Sequence, residues 1–227
     1  MVTKLRISKS NFMNYDFCKY LYKKIVIDNF ETEPTMVMLR GTELHKYYED
    51  LVIKGRKNKL SFDDEETIDI VNNINIFEEN RKELLKEFYK PIIYEEKFTK
   101  VINIDGAEIT LVGKPDAVFL EEDNTLNIME IKTGIWKDYK LSKIRKELVF
   151  YSILLEGQTE QLIKNISWFY PKMNHFDTEE IKKRTVTAVY KQLNKMIESH
   201  KNDNFESSYN YKKCENCSFL QECVFRS

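Results

Sequence analysis

The spacing of apolar positions divides the chain into helical and extended stretches. Phe12, Tyr15, Cys18, Leu21, Tyr22 and Ile25 recur at helical intervals behind Ser8 and Ser10, either of which can cap a first helix. Leu44, His45, Tyr48, Leu51 and Val52 share one side of a second helix running from about Gly41 into the fifties. A third follows Asp63-Asp64-Glu65-Glu66, an acidic run suited to a helix N-terminus, and carries Ile68, Val71, Ile74, Phe77, Leu84, Leu85 and Phe88. The period then falls to two. Residues 92–104 read as a strand, Asp105-Gly106 as a hairpin turn and 109–119 as the partner strand. Glu122-Asp123-Asn124 makes another turn before a strand over 126–132. Helical spacing returns over 139–156, residues 166–170 read as a strand closed by Pro171, and Asp177 with Glu180 reads as a capping box opening a helix to about His200. The pattern predicts one mixed α/β domain over 1–227, in which sheet and helices share a core. Its parts are a mainly helical stretch over 1–90, a core over 91–200 and a cysteine tail over 205–227.

Composition narrows the function. Across 227 residues, 36 Lys and Arg face 37 Asp and Glu, which excludes a uniformly basic nucleic-acid binder and leaves only a local patch. The six glycines fit neither nucleotide-phosphate loop, so no nucleotide cofactor is expected. Three histidines without H-E-x-x-H, and no G-x-S-x-G, remove the zincin and α/β-hydrolase classes. No apolar run approaches the roughly 18 residues of a membrane span. The opening Met1-Val-Thr-Lys-Leu-Arg lacks a signal peptide, so a soluble cytoplasmic protein without membrane association is expected. In such a reducing compartment four cysteines point to metal, catalysis or packing rather than disulfides.

The segment richest in chemistry is Gly113-Lys114-Pro115-Asp116 followed by Glu130-Ile131-Lys132. Residues two apart on a strand face one side, so Glu130 and Lys132 project together while Ile131 turns inward. Two carboxylates and one ammonium group near each other suit a hard divalent ion, with the lysine beside an attacking water. The plain alternative is a solvated Glu–Lys pair, since E-x-K is a common spacing.

Four motifs stand in order along the chain: Gly41-x-x-x-His45, Gly113-x-x-Asp116, Glu130-x-Lys132 and Glu147-x-x-x-Tyr151. The set resembles the PD-(D/E)XK nuclease superfamily and, within it, the RecB-like branch, with Glu147 where that branch usually has Gln. Cys18 with Cys214-x-x-Cys217 and Cys223 resembles the iron–sulfur members of that branch. These include the AddB nuclease domain, the eukaryotic replication helicase-nuclease and, most like this chain, the small CRISPR-associated RecB-like exonucleases.

The resemblance implies a RecB-like fold with a central mixed sheet flanked by helices, and a C-terminal cysteine element joined to Cys18. It implies that His45, Asp116, Glu130 and the backbone carbonyl of Ile131 hold Mn²⁺ or Mg²⁺. Lys132 would position the water, and Tyr151 would orient Lys132 or a phosphate. Cys18, Cys214, Cys217 and Cys223 would hold a [4Fe–4S] cluster, with Zn²⁺ the alternative for the same thiolates. The implied function is metal-dependent cleavage of DNA, acting as a single-stranded exonuclease with some endonuclease capacity. The setting would be CRISPR spacer acquisition or viral or host DNA processing, with a spacer-acquisition integrase or a helicase as partner. The competing class is a non-catalytic DNA-binding adaptor.

Lys140, Lys143, Arg145 and Lys146 form a candidate phosphate-contacting patch, with Trp136 as a base-stacking residue and Glu147 on the same helix. A solvated helix face and a core tryptophan are the bland readings. His175 and His200 read as surface or loop residues.

Overall fold

The computed structural model describes residues 3–31, 33–215, 217 and 219–226. The chain gathers into two compact units, Met1–Glu33 with Val101–Leu111 and Tyr190–Ser227, and Pro34–Lys100 with Val112–Val189. This division cuts across the limits at 90 and 200 suggested by the hydropathy pattern.

In the first unit, strand β1 (Lys4–Ser8) leads directly into α1 (Lys9–Phe17), which Ser8 caps by accepting the Asn11 N–H at 3.1 Å. The single helix predicted here is two, because Cys18 is extended (φ −163°, ψ 123°) and α2 (Lys19–Val26) starts after it. The apolar spacing hides the break because Cys18 serves both helices. Its N–H donates to the Asn14 carbonyl, and its carbonyl accepts from Tyr22. The C-terminal part of α6 (Lys183–Lys201) packs on these helices. The Tyr15 hydroxyl donates to the Lys195 carbonyl at 2.8 Å, and the Gln192 amide donates to the Phe12 carbonyl at 2.8 Å. Tyr22 and His200 share a hydrogen bond of 2.8 Å, and burial pushes the Tyr22 pKa up to about 12. His200 is thus a packed partner rather than a surface residue.

In the second unit α3 (Met36–Lys54) begins five residues before Gly41, behind a Thr35 cap, and stops at Gly55 in the left-handed region (φ 63°). Asp64 caps α4 (Glu65–Leu85), as the acidic run suggested. A five-stranded sheet has the order β2-β5-β6-β7-β8, formed by Pro91–Tyr94, Ala117–Leu120, Leu126–Ile131, Ile163–Tyr170 and His175–Glu180. Only β6 and β7 run parallel, joined through α5 (Leu141–Leu155), so the sheet is mixed. Most of β3 (Phe98–Ile104) and of β4 (Ala107–Gly113) falls within the Val101–Leu111 segment of the first unit, where the two strands join β1 in a three-stranded sheet of order β1-β4-β3. Their turn is Asp105-Gly106, both at positive φ, as the hairpin signal required.

Three expectations are corrected. The long strand over 92–104 is β2 and β3 in different sheets, and the strand over 109–119 is β4 and β5, again in different sheets. Glu95 at φ 44° breaks the first, and Lys114-Pro115-Asp116 breaks the second, where Pro115 has no N–H for a ladder. Apolar alternation runs through both breaks and cannot reveal a change of sheet. Asp177 and Glu180 lie in edge strand β8, not at a helix start. There the ladder with β7 outweighs the local capping signal.

One face of the five-stranded sheet carries Ala117, Phe119, Met129, Ile131 and Phe169 against Leu44, Tyr48, Ile70 and Ile74 of α3 and α4. Phe77 stacks on Phe169 with ring centroids 3.9 Å apart. Helix α5 packs on β6 and β7. Among the described residues no helix is long and apolar enough to cross a membrane.

Gly113 ends β4 where α5 passes closely. A Cβ there would lie 2.8 Å from Tyr151 Cε1 and 2.9 Å from Leu154 Cδ2. Gly113→Ala is expected to cost about 1–3 kcal/mol of stability. A lowered midpoint in denaturant unfolding at unchanged slope checks it; wild-type stability would show that α5 can yield.

Candidate active site

The two strand breaks and the parallel crossover bring the acidic residues together. Asp116 stands at the mouth of β5, and its Oδ2 accepts the Ile131 N–H at 2.8 Å, tying the Gly113–Asp116 turn to the neighbouring strand β6. Its Oδ1 lies 3.6 Å from His45 Nδ1. His45 comes from α3, which is held here by the Tyr94 hydroxyl donating to the His45 carbonyl at 3.0 Å. Glu95, directly after β2, donates its N–H to the Asp116 carbonyl at 3.2 Å and places Oε1 3.9 Å from His45 Nδ1. One donor atom each from His45, Glu95 and Asp116 lie within 4.8 Å of one another. Glu95 escaped the sequence reading, because an acid in what looked like a continuous strand carries no spacing signal.

Glu130 and Lys132 do share one side of β6, while Ile131 enters the core. The Lys132 ammonium donates to Glu130 Oε1 at 2.6 Å and to Glu147 Oε1 at 2.7 Å. Both carboxylates are buried, at 3% and 6% side-chain exposure. Glu147 is therefore turned inward onto the lysine. Tyr151, one helical turn later, donates to the Lys114 carbonyl at 2.8 Å and so fastens the turn carrying Asp116. Burial, reinforced by the charges of Glu130, Asp116 and Glu147, raises its pKa far above the usual phenol value. Tyr151 stays protonated and acts as a donor.

Six ionisable side chains meet here: the acids Glu95, Asp116, Glu130 and Glu147, and the amines Lys114 and Lys132. Lys114 is bound to Glu95 at 2.6 Å. Acids outnumber amines here, and His45 stands beside them. An imidazole and carboxylate oxygens in such a field fit a hard divalent cation. An open cleft of about 720 Å³ reaches the site, walled by Val37, Met38, His45, Lys46, Glu95 and Lys114.

The α5 patch is placed differently. Arg145 donates from Nε and Nη2, one edge of its guanidinium, to the two oxygens of Glu179, and Lys140 donates to the Ile135 carbonyl. The Trp136 ring stacks on His175 at 4.6 Å and lies 6.0 Å from Trp168. That stacking also makes His175 a packed residue. Lys143 is exposed and Lys146 half-buried.

The cysteines lie in the first unit, all half-buried and unbridged. Cys217 donates its N–H to the Cys214 carbonyl at 2.9 Å, closing the C-x-x-C turn, and the Cys18 thiol donates to Ser207 at 3.2 Å. Burial pushes the Cys217 thiol up, and the charges of Cys18, Cys214 and Cys223 would push it further. Cys217 is thus within electrostatic reach of the other three thiols. Among the described residues only His45, Glu95 and Asp116 gather three metal-donor atoms within 4.8 Å, and the cysteine sulfurs are spread more widely.

A mixed sheet presenting Asp116 and Glu130-x-Lys132 beside a helix-borne histidine is the layout of a metal-ion-dependent phosphodiester hydrolase. The chain belongs to the PD-(D/E)XK nuclease superfamily, whose family model matches residues 6–224, and it is accordingly a metal-dependent nuclease. No curated protein matches it. Among solved structures it is similar to SSO0001, with a TM-score of 0.52 and 14% identity over 96% of this chain and 85% of that one. It also matches Rai1 of Scheffersomyces stipitis, with a TM-score of 0.35 and 10% identity over 88% of this chain, which spans 61% of Rai1. The first likeness is one of fold.

Glu95→Gln is expected to weaken Mn²⁺ binding about tenfold, roughly 1.4 kcal/mol, without unfolding the chain. Calorimetric titration checks this, and an unchanged affinity would remove Glu95 from the ligand set.

Proposed function

We propose that this protein hydrolyses single-stranded DNA at its ends, with His45, Glu95, Asp116 and Glu130 holding one or two Mn²⁺ or Mg²⁺ ions and the Ile131 carbonyl completing the set. The observation that carries the reading is the grouping of His45, Glu95 and Asp116 donors, with Lys132 held at Glu130 next to Asp116 along β6. When bound, the ion polarises the scissile phosphate and lowers the pKa of water. Lys132 holds its ammonium group where the attacking water and a phosphate oxygen meet. Lys46 and Lys114, on the cleft wall, neutralise flanking phosphates. Tyr151 acts indirectly, by keeping the Asp116 turn in place.

Preference for single strands is supported by the first turn of α3. Met36, Val37, Met38 and Leu39 are 66%, 64%, 58% and 43% exposed, and Val37 and Met38 line the cleft that holds His45. Unpaired bases can cover such apolar surface, whereas paired bases present only their edges. In this reading the protein trims ends in spacer acquisition or in viral or host DNA processing, with an integrase or helicase supplying other steps.

Lys132→Ala is expected to lower cleavage of a labelled single-stranded oligonucleotide in Mn²⁺ by at least a hundredfold while binding persists. Wild-type turnover by this variant would end the assignment. A wild-type protein that binds DNA but never shortens it in Mn²⁺ would favour the adaptor.

The same reading gives the four cysteines a [4Fe–4S] cluster, with a structural role in the first unit. Anaerobically purified protein should be brown, with iron and acid-labile sulfide in near-equal amounts. Colourless protein with one zinc per chain would replace the cluster by zinc and leave the nuclease standing.

A further inference from the structure

The two contacts of Lys132 point to a role for Glu147 that its position on a helix face did not suggest. Lys132 Nζ sits between two buried carboxylates, 2.6 Å from Glu130 Oε1 and 2.7 Å from Glu147 Oε1. One of these, Glu130, is also a ligand in the proposed function, on which this inference rests. An ammonium group at 2.6 Å draws on the charge of Glu130 Oε1, while the second oxygen, Oε2, is buried. Lys132 and an ion held by Glu130 would therefore share one carboxylate, each weakening the hold of the other. With Glu130 alone as its partner, Lys132, 30% exposed, would be held less firmly once the ion draws on the same carboxylate.

We propose that Glu147 is the positioning residue for Lys132: it would steady the lysine while Glu130 shares its charge with the metal. The geometry suits the task. Glu147 projects from α5, whose neighbouring residues Ile144, Leu148 and Tyr151 are all buried, so its carboxylate is anchored independently of β6. A carboxylate holds an ammonium group by a charge-assisted bond about twice as strong as the bond from an amide. Glu147 thereby competes with Glu130 for Lys132 and lightens the competition between Lys132 and the ion for Glu130. The acid near the phosphate path costs little in repulsion, because its charge is directed onto Lys132.

The test is a double-mutant cycle read by Mn²⁺ titration, which needs no turnover. Glu147→Gln keeps shape and volume. It is expected to lower Mn²⁺ affinity at least fivefold, because Lys132 falls back on Glu130, and to lower kcat at least tenfold with KM for DNA within twofold of wild type. In the Lys132→Ala background, Glu147→Gln should shift Mn²⁺ affinity less than twofold. Should Glu147→Gln fold poorly by melting, Glu147→Asp, which keeps the charge but withdraws it, should give a smaller loss of the same kind. Equal loss of Mn²⁺ affinity with and without Lys132 would mean that Glu147 acts on the ion directly, and the proposal falls. No change in either Mn²⁺ affinity or kcat overturns it as well. Absence of cleavage by the wild type, with the coupling intact, would instead defeat the nuclease reading and spare the Glu147–Lys132 relation.

Discussion

Four carboxylates crowd a site that offers two ammonium groups to balance them. Concentrated like charge is unfavourable in the partly dehydrated end of a sheet, and every feature around it manages that cost. Lys114 is held by Glu95, Lys132 bridges Glu130 and Glu147, and the second oxygen of Asp116 is bound to a backbone N–H. The remaining negative charge is what a divalent cation neutralises. A site satisfied by its own side chains would have no use for a metal, and this one is left short of positive charge.

Precision comes from interruptions in regular structure. The break at Lys114-Pro115-Asp116 frees Asp116 from the ladder and aims it at His45, and the break at Glu95 puts a second carboxylate opposite. Glu95 adopts φ 44°, a conformation a non-glycine residue holds only where its surroundings impose it. Tyr151 and Gly113 form the other side of this arrangement. The phenol reaches the Lys114 carbonyl because glycine leaves room for its ring. Helix α5 thus holds the Asp116 turn in place from behind.

The cysteine unit follows another logic. Cys18 sits at a helix break, and its three companions lie about two hundred residues later on a tail of short turns. Thiolate–metal bonds suit such segments, which bury little apolar surface of their own. In the same unit, tyrosine hydroxyls from α1 and α2 bond the end of α6, giving it a hydrogen-bonded framework that does not depend on thiolates.

Local sequence was enough for elements whose signals are local. Caps at Ser8 and Asp64, the Asp105-Gly106 turn, helix α5 and the shared face of Glu130 and Lys132 all follow from periodicity and side-chain chemistry within a few residues. The order of the four motifs and the expectation of a metal site came from resemblance to a nuclease family rather than from spacing, since Glu95-x-Lys97 and Glu180-x-Lys182 repeat the E-x-K pattern. Sheet membership was not legible. Alternation is the same whether a strand stays in its sheet or leaves it, so residues 92–104 and 109–119 each read as one strand. Glu95 became visible only when β2 and β5 paired, and β8 only when β7 supplied its ladder. Glu147 shows the limit most plainly. Its place in the sequence marks a departure from the Gln usual there, but only the packing of α5 beside β6 decides that its charge meets Lys132 rather than DNA. Long-range contact assigns partners, and a one-dimensional pattern can only assign faces.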